Sequence, residues 1–255
     1  MLGGCGGIIL AGGKSNRMGR DKWDLPFGEK TVLERLVGVL RSTCDEICVV
    51  TAGRDKRKAE GNKAECLESR MDLNSIGITK WTEVAGFITI PSIQFIHDEH
   101  FEIGPLGGIA AGLAANKGTS QLVVASDMPF PSTALIRELF KLSKSSHHKV
   151  IVPEYGGRLH PLFAAYRQDC LLDLSRYIKE GGRKVTTWMQ SLESITVIPE
   201  SRVLELNPDG TALMNMNRPE DYERALSLFA ESAASHTDSG VALQRSVDQR
   251  LPDYD

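Results

Sequence analysis

The hydrophobic residues of this chain fall into two alternating patterns. Short continuous apolar runs are typical of strands that are buried on both faces of a sheet. Longer segments with apolar residues three and four positions apart predict helices with one buried face. Their alternation indicates an α/β fold with a mostly parallel sheet. The apolar runs predict strands over Ile8 to Ala11, Ile47 to Thr51, Ile93 to Ile96, Leu122 to Ala125, Val150 to Val152 and Arg158 to Tyr166.

The helix predicted over Thr31 to Arg41 has the clearest start signal. Thr31 is placed to accept a hydrogen bond at the helix start, and Glu34 follows three residues later as the reciprocal partner of a capping box. The segment from Gly107 to Ala115 consists mostly of small residues, which permit close packing against a sheet. Further helices are predicted over Leu135 to Leu142, over Leu171 to Ile178 and after the segment 215–221.

A glycine-rich basic loop follows the first predicted strand. Gly12 and Gly13 allow a sharp turn and a close approach of the backbone to a ligand, since neither has a Cβ. Backbone N–H groups in such a turn form an anion-binding concavity. The loop therefore predicts a triphosphate site. Its positive side chains are Lys14, Arg17, Arg20 and Lys22.

Two common phosphate-binding motifs do not fit this loop. A Walker A loop ending at Gly13-Lys14-Ser15 would need glycine at position 8, where Ile8 stands. The dinucleotide fingerprint G-x-G-x-x-G fails as well, because Ile9 occupies the place of its third glycine. The loop is thus neither a P-loop nor a dinucleotide-binding turn.

Two more polar segments follow predicted strands, and ligands in such sheets bind where the carboxyl ends of the strands meet. Asp98 precedes the glycine-rich segment 104–108, which by itself could be a tight turn entering a helix. Asp127 comes directly after a strand, where its carboxylate could hold Mg²⁺ against nucleotide phosphates. The alternative for Asp127 is an Asx turn that caps a helix beginning near Pro131.

Composition is that of an ordinary globular protein and excludes several classes. In 255 residues, 41% are hydrophobic and 25% charged, and the net charge of −3 gives no reason to expect a nucleic-acid partner. The five cysteines form no zinc-binding pattern, so we expect reduced, mostly buried thiols. The residues before Cys5 lack the charged and apolar parts of a lipoprotein leader, so we expect no lipidation there. No apolar run approaches the ~20 residues of a membrane span. We expect a cytoplasmic protein with no membrane contact.

A set of motifs occurs in a characteristic order. They are L-A-G-G-x-S-x-R-M-G-x-D-K at 10–22, G-P-L-x-G at 104–108, D-x-P-F at 127–130, H-P-x-x-A at 160–164, G-x-R-(K/R) at 181–184 and N-x-N-x-P-E-D at 215–221. Together they resemble the MobA-like nucleotidyltransferase family, which includes molybdenum cofactor guanylyltransferase. The resemblance implies a Rossmann-like three-layer α/β/α nucleotidyltransferase fold with a mostly parallel sheet.

The resemblance also implies a division of the chain. We expect a single nucleotidyltransferase domain over 1–230, with a nucleotide-binding part up to about residue 150 and an acceptor-binding part over 151–230. The polar, poorly periodic stretch 52–93 is interpreted as a surface insertion with one or two helices. Residues 231–255, rich in Ser, Ala, Asp and Gln, are interpreted as a flexible tail.

The implied reaction transfers GMP from GTP to the terminal phosphate of molybdopterin and releases pyrophosphate. Mg²⁺ is the implied metal, with Mn²⁺ as an alternative, and Asp127 is its implied ligand. Implied partners are GTP and molybdopterin, with transient contacts to cofactor-synthesis proteins and molybdoenzymes. By the same resemblance, the catalytic residues are Arg17, Lys22 and Asp127.

The two substrates divide the remaining site residues. The loop amides of Ala11, Gly12 and Gly13 are expected to bind the triphosphate. The nucleotide site comprises Leu10, Ala11, Gly12, Gly13, Lys22, Asp98, Gly104, Pro105, Leu106 and Asp127. The acceptor site comprises His160, Arg183, Lys184, Asn215 and Asn217.

Three other functions remain open at this level. A cytidylyltransferase for the same cofactor is disfavoured by Gly12, because cytidylyl relatives tend to have Ala-Ala-Gly there. A transferase acting on a sugar or alcohol phosphate would share the fold. A non-catalytic GTP-binding regulatory or carrier protein would have no need for Lys22 and Asp127. The chain also departs from the family pattern in its long insertion and in Gly53, where many relatives have Asn.

Overall fold

The computed structural model describes residues 4–12, 22–52, 92–98 and 101–232. The strands are β1 (Cys5–Leu10), β2 (Pro26–Phe27), β3 (Lys30–Thr31), β4 (Glu46–Ala52), β5 (Ser92–Asp98), β6 (Ser120–Ala125), β7 (Val150–Tyr155), β8 (Arg158–Leu159), β9 (Phe163–Arg167) and β10 (Ile195–Ile198). The α-helices are α1 (Val32–Leu40), α2 (Pro105–Ala115), α3 (Thr133–Ser145), α4 (Cys170–Lys179), α5 (Val185–Gln190), α6 (Glu200–Leu206) and α7 (219–232).

The main sheet has the strand order β10-β7-β9-β6-β1-β4-β5, and the short β8 pairs with β7 outside that order. At its centre β1 pairs in parallel with both β4 and β6, and β5 continues the parallel arrangement beyond β4. β9 runs antiparallel to both of its neighbours, β6 and β7. The prediction of a mostly parallel sheet is confirmed. β2 and β3 form a separate hairpin.

Hydrophobic clusters cover both faces of this sheet, as expected for strands buried on both sides. In β1, Ile9 belongs to the cluster that contains α1, α3, α6 and α7 residues. Ile8 and Leu10 belong to the other cluster, with residues of α2, α4 and α5. The three layers of the predicted α/β/α fold follow from this alternation.

The start of α1 confirms the predicted capping box. The backbone N–H of Glu34 donates to Thr31 Oγ1 at 3.2 Å, and the backbone N–H of Thr31 donates to Glu34 Oε2 at 2.7 Å. The signal was readable from sequence because all partners lie within three residues.

Several predicted boundaries were wrong. The strand predicted over Arg158 to Tyr166 is two strands, because Pro161 has no N–H for a ladder and Phe163 N–H closes a turn onto His160 O at 3.0 Å. The predicted insertion 52–93 is too wide, since Ala52 ends β4 and residues 92–93 begin β5. The predicted tail begins too early, since 231–232 belong to α7, and residues 53–91 and 233–255 lie outside the described residues.

The cysteines that the structure describes are buried thiols. Cys5, Cys44, Cys48 and Cys170 are free and buried, and Cys66 lies outside the described residues. Burial raises the pKa of Cys44, Cys48 and Cys170 to about 12 each, which leaves these thiols protonated. Among the described residues no helix is both long and apolar enough to cross a membrane.

Candidate active site

Three predicted site residues meet beyond the carboxyl end of β6. Lys22 Nζ lies 3.0 Å from Asp127 Oδ2 and donates to Asn217 Oδ1 at 2.9 Å. Lys22 is 105 residues from Asp127 and 195 residues from Asn217 along the chain. The fold thus brings together one basic, one acidic and one amide side chain from three separate motifs.

Lys22 begins a short 3₁₀ turn that an aromatic side chain anchors. Trp23 is 5% exposed and packs in the cluster on the α1 side of the sheet. The backbone N–H of Val32 at the start of α1 donates to Leu25 O at 3.1 Å. The Lys22 side chain therefore extends from a segment that is fixed on the core.

Asp127 lies in a turn held by backbone bonds. Met128 N–H donates to Ala125 O at 3.1 Å, and Met216 N–H donates to Asp127 O at 2.8 Å. The residue that caps α3 is Ser132, whose Oγ accepts from Leu135 N–H at 3.3 Å. The alternative in which Asp127 caps this helix is therefore excluded, and its carboxylate contacts Lys22.

Asn217 comes just before α7, whose first turn is capped by another residue. Asp221 Oδ2 accepts from the backbone N–H groups of Asn217 and Arg218, each at 2.9 Å. A carboxylate in the first turn of a helix is the favoured partner for such N–H groups. Since Asp221 supplies the cap, the Asn217 side chain is left to contact Lys22.

The predicted nucleoside-binding residues meet on the face of the sheet that α2 covers. A Cβ on Gly108 would lie 3.0 Å from Leu10 Cδ2 and 4.0 Å from Asp98 Oδ2, so the three residues adjoin. Asp98 is 5% exposed at the end of β5. Glycine at this position lets α2 approach the ends of β1 and β5 closely.

The predicted segment 104–108 opens α2. Gly104 has φ +75°, a conformation that favours glycine, and Pro105 occupies the first helical turn. Leu106 is fully buried. The helix begins two residues before its predicted start, because proline is well tolerated at the first helical position.

The phosphate loop is described only at its start. Gly12 is exposed, whereas Gly13 and Arg17 lie outside the described residues. Ala11 N–H donates to Val50 O at 2.8 Å and so extends the bonding between β1 and β4. This corrects the expectation that the Ala11 amide binds phosphate, because that donor is already committed to the sheet.

The hydrogen bonds of the other predicted acceptor residues go to groups outside this set of three. His160 is 6% exposed, its Nε2 lies 3.2 Å from Tyr155 O, and burial lowers its pKa. Arg183 Nη1 donates locally to Gly182 O at 3.1 Å, and Lys184 precedes α5. Asn215 is half-buried in the segment before α7. Their acceptor roles stay predictions.

The residues present fit a magnesium ion that is shared with a nucleotide. Among the described residues no group of three or more His, Cys, Asp and Glu could hold a metal. Mg²⁺ in nucleotide sites uses one or two protein carboxylates and takes its other ligands from phosphates and water. The Asp127 carboxylate is 21% exposed and already accepts one cation, the Lys22 ammonium. It matches this donor chemistry.

One residue beside the site was not predicted. Arg35 of α1 donates from Nε to Pro129 O at 3.0 Å, two residues beyond Asp127. In the sequence Arg35 falls on the polar side of an amphipathic helix, where a solvated charge is the ordinary expectation. No local signal points to its distant partner.

Comparison with known proteins places the chain in a family. The family model described as the MobA-like NTP transferase domain matches residues 7–195. The chain belongs to the MobA-like NTP transferase family. The resemblance stated from the motifs is confirmed, and with it the enzyme class, nucleotidyltransferase.

Relatives of this family resemble the chain over most of its length. A probable molybdenum cofactor guanylyltransferase of Mycobacterium avium is 33% identical over 204 residues, covering 78% of this chain and 87% of that protein. A protein of the same name from Methanosarcina mazei is 29% identical over 221 residues, covering 86% of this chain and 88% of the relative.

Solved structures confirm the predicted fold. The molybdopterin-guanine dinucleotide biosynthesis protein A of Archaeoglobus fulgidus superposes with a TM-score of 0.67 at 24% identity, covering 89% of this chain and 99% of its own. Rv0371c of Mycobacterium tuberculosis, crystallised in complex with manganese, gives a TM-score of 0.58 at 16% identity, covering 89% of this chain and 100% of its own.

Proposed function

We propose that this nucleotidyltransferase transfers GMP from GTP to the terminal phosphate of molybdopterin and releases pyrophosphate. The observation that carries the proposal is the meeting of Lys22, Asp127 and Asn217 at the carboxyl edge of the sheet. The names of the relatives from Mycobacterium avium and Methanosarcina mazei support guanine and molybdopterin as the substrate chemistry.

The reaction needs alignment and charge neutralisation more than proton transfer. An oxygen of the acceptor phosphate attacks the α-phosphorus of GTP and forms a new P–O bond. The bond between the α-phosphorus and the oxygen that bridges to the β-phosphate breaks, and pyrophosphate leaves with that electron pair. Because the attacking oxygen is already ionised at neutral pH, no general base is required.

In this account Lys22 exchanges its partner during the reaction. Its ammonium leaves the Asp127 carboxylate and neutralises charge on the α-phosphate and the departing pyrophosphate. Arg17 contributes a second positive charge there. Asp127 would hold Mg²⁺, which supplies charge neutralisation on the phosphates when bound. Mn²⁺ would serve as an alternative ion.

The two substrates then occupy opposite sides of this group. Leu10, Asp98 and the 104–108 segment would hold the nucleoside, and the amides of Gly12 and Gly13 the triphosphate. Asn217 would face the acceptor. The remaining acceptor residues of this proposal are His160, Arg183, Lys184 and Asn215.

Pyrophosphate release with Mg²⁺ and molybdopterin tests the proposal, with GTP, CTP, ATP and UTP compared side by side. We expect release with GTP and little with the other three. Release with CTP instead would assign the protein to the cytidylyl branch. Binding of GTP without release would contradict the proposed acceptor and favour another acceptor or a non-catalytic binding protein.

A further inference from the structure

Arg35 projects from α1 into a cluster of three phenylalanine rings. Its guanidinium carbon lies 4.6 Å from the ring centre of Phe229, 5.5 Å from that of Phe27 and 5.8 Å from that of Phe130. Such distances permit cation–π attraction, which is stronger where water is excluded. The three rings come from α7, from β2 and from the segment that follows Asp127. One side chain thus joins four separate parts of the chain.

Arg35 also makes a directed hydrogen bond to the segment that carries Asp127. Its Nε donates to Pro129 O at 3.0 Å. On the other side of the same segment, Met216 N–H donates to Asp127 O at 2.8 Å. The segment is therefore fixed at both ends, by a backbone amide and by a guanidinium.

The same ring cluster holds α7 against the hairpin. Gly28 has φ +69°, and a Cβ there would lie 2.6 Å from Phe229 Cε1, so the ring packs directly on the hairpin turn. Phe229 and Phe27 have ring centres 5.1 Å apart. Tyr222 Oη donates to Pro26 O. Asn217, the other partner of Lys22, comes just before α7. By contacting Phe229, Arg35 therefore helps to hold the helix that follows Asn217.

We propose that Arg35 is a positioning residue, which sets the place of the Asp127 carboxylate for metal and nucleotide through Pro129 and the aromatic cluster. This role rests on the function proposed above. In the described structure the hydrogen bond of Arg35 goes to Pro129 O, whereas Lys22 bonds Asp127 and Asn217. Arg35 acts through the backbone that follows Asp127.

The chemistry of the guanidinium explains why arginine suits this place. Its planar group stacks on aromatic rings and donates from a fixed direction at the same time. Lysine would keep the charge and the aliphatic stem, but it has no planar donor to satisfy Pro129 O and the rings together. Methionine would keep only the unbranched stem.

The test compares Arg35→Lys and Arg35→Met with the unchanged protein. The first readout is the affinity of the protein–GTP complex for Mn²⁺, measured by the loss of the free-ion signal in electron paramagnetic resonance. The second is the Mg²⁺ dependence of pyrophosphate release, alongside the KM for GTP. We expect Mn²⁺ affinity and kcat each to fall about tenfold or more, since misplacing a reacting group by about 1 Å costs up to about a hundredfold.

The KM for GTP at saturating Mg²⁺ should change less than twofold. The proposed nucleoside pocket at Leu10, Asp98 and Gly108 lies on the other face of the sheet from Arg35. A purely structural role would lower the melting temperature and the amount of active protein, but it would leave the metal dependence of the folded molecules unchanged.

Arg202→Met is the matched control. Arg202 bonds Glu138 at 3.1 Å and Glu205 at 2.6 Å, on the outer helices α3 and α6 and away from Lys22 and Asp127. This variant also loses one arginine with its polar contacts, yet it should keep the original Mn²⁺ affinity.

Unchanged Mn²⁺ affinity in folded Arg35→Lys or Arg35→Met would overturn the positioning role. If Arg35→Met does not fold, Arg35→Lys decides, because it retains the charge and stem that the cluster holds. Failure of the proposed function is a separate result, since it would appear as absent pyrophosphate release by the unchanged protein.

Discussion

The two ends of the parallel sheet use polar side chains in opposite ways. At the amino end, Asn116 Nδ2 donates to Gly7 O at 3.2 Å and to Gln121 Oε1 at 2.8 Å, and Gln121 Nε2 donates to Gly118 O at 2.7 Å. Asn116 is 2% exposed and Gln121 fully buried. These amides satisfy one another out of contact with water.

At the carboxyl end the polar group is charged and reachable. Lys22 and Asp127 are each 21% exposed, and Asn217 is exposed. An ion pair in contact with water contributes about 0–1 kcal/mol to stability. It can therefore exchange its partner for a ligand at little cost, whereas a buried amide that loses its partner leaves a desolvated polar group behind.

The difference teaches how burial separates structural from chemical roles. Both ends contain polar residues from distant parts of the chain. The Asn116–Gln121 pair is closed to water and should respond to truncation mainly through stability, whereas the Lys22–Asp127 pair is in contact with water and should respond mainly through activity.

The largest expected effect is at the carboxyl end. Asp127→Asn and Lys22→Met should each lower kcat for pyrophosphate release by roughly 10²–10³-fold, the usual cost of removing one group that stabilises developing charge. The melting temperature should move by no more than about 2–4 °C, because the lost ion pair is only partly buried and in contact with water. Steady-state kinetics and calorimetry on the same preparations give both numbers. Normal turnover in either variant would remove that residue from the mechanism.

The opposite result is expected at the amino end. Asn116→Ala removes the hydrogen bonds from its Nδ2 to Gln121 Oε1 and Gly7 O, and it leaves Gln94 Nε2 with only Ala115 O at 3.4 Å. Each buried group left unsatisfied costs about 1–3 kcal/mol, so the free energy of unfolding should fall by roughly 2–4 kcal/mol. Denaturant titration measures that loss, while kcat per folded molecule should be unchanged. A loss of kcat without a loss of stability would contradict the separation of roles.

A smaller effect should distinguish the nucleoside pocket from the rest of the sheet. Gly108→Ala would bring a Cβ within 3.0 Å of Leu10 Cδ2, so we expect the KM for GTP to rise a few-fold. Gly38→Ala in α1 is the control, because a Cβ there meets nothing within 4 Å. That control should raise stability by about 0.4–1 kcal/mol and leave kinetics alone. Equal KM values in the two variants would argue against a nucleoside beside Gly108.

The smallest effect concerns His160 and pH. Burial lowers its pKa from the ordinary value of 6.5, so the unfolded chain takes up the proton first. Its contribution to stability is therefore present above about pH 6.5 and is lost as pH falls toward the lower folded pKa. Between about pH 7.5 and pH 5.5, the melting temperature of His160→Gln should fall less than that of the unchanged protein. The two falls should differ by a few degrees at most. Identical slopes would mean that His160 does not titrate in this way.

Local signals in the sequence predicted the fold well where all partners lie close together. The Thr31–Glu34 capping box and the buried strands around β1 depend on residues a few positions apart or on a continuous apolar run. α5, α6 and β10 were not predicted, because they have only six, seven and four residues and depend on tertiary contacts. Trp188 of α5, for example, is held by its stacking on Tyr166.

The same distinction applies to the site. Lys22 and Asp127 were predicted from separate motifs, and the rule that strand ends share one edge was enough to expect them near each other. The bonded Ala11 amide and the role of Arg35 could not be predicted, since their partners Val50 and Pro129 lie 39 and 94 residues away. Motif order predicts candidate site residues, but it does not show which backbone donors are already bonded within the sheet.

The most direct test of the central claim is the mass of the product formed from GTP, Mg²⁺ and molybdopterin. The account predicts molybdopterin enlarged by one guanylyl group together with one pyrophosphate, and both products formed roughly 10²–10³-fold more slowly by Asp127→Asn. Unmodified molybdopterin in the presence of bound GTP, or equal product from Asp127→Asn, would contradict it.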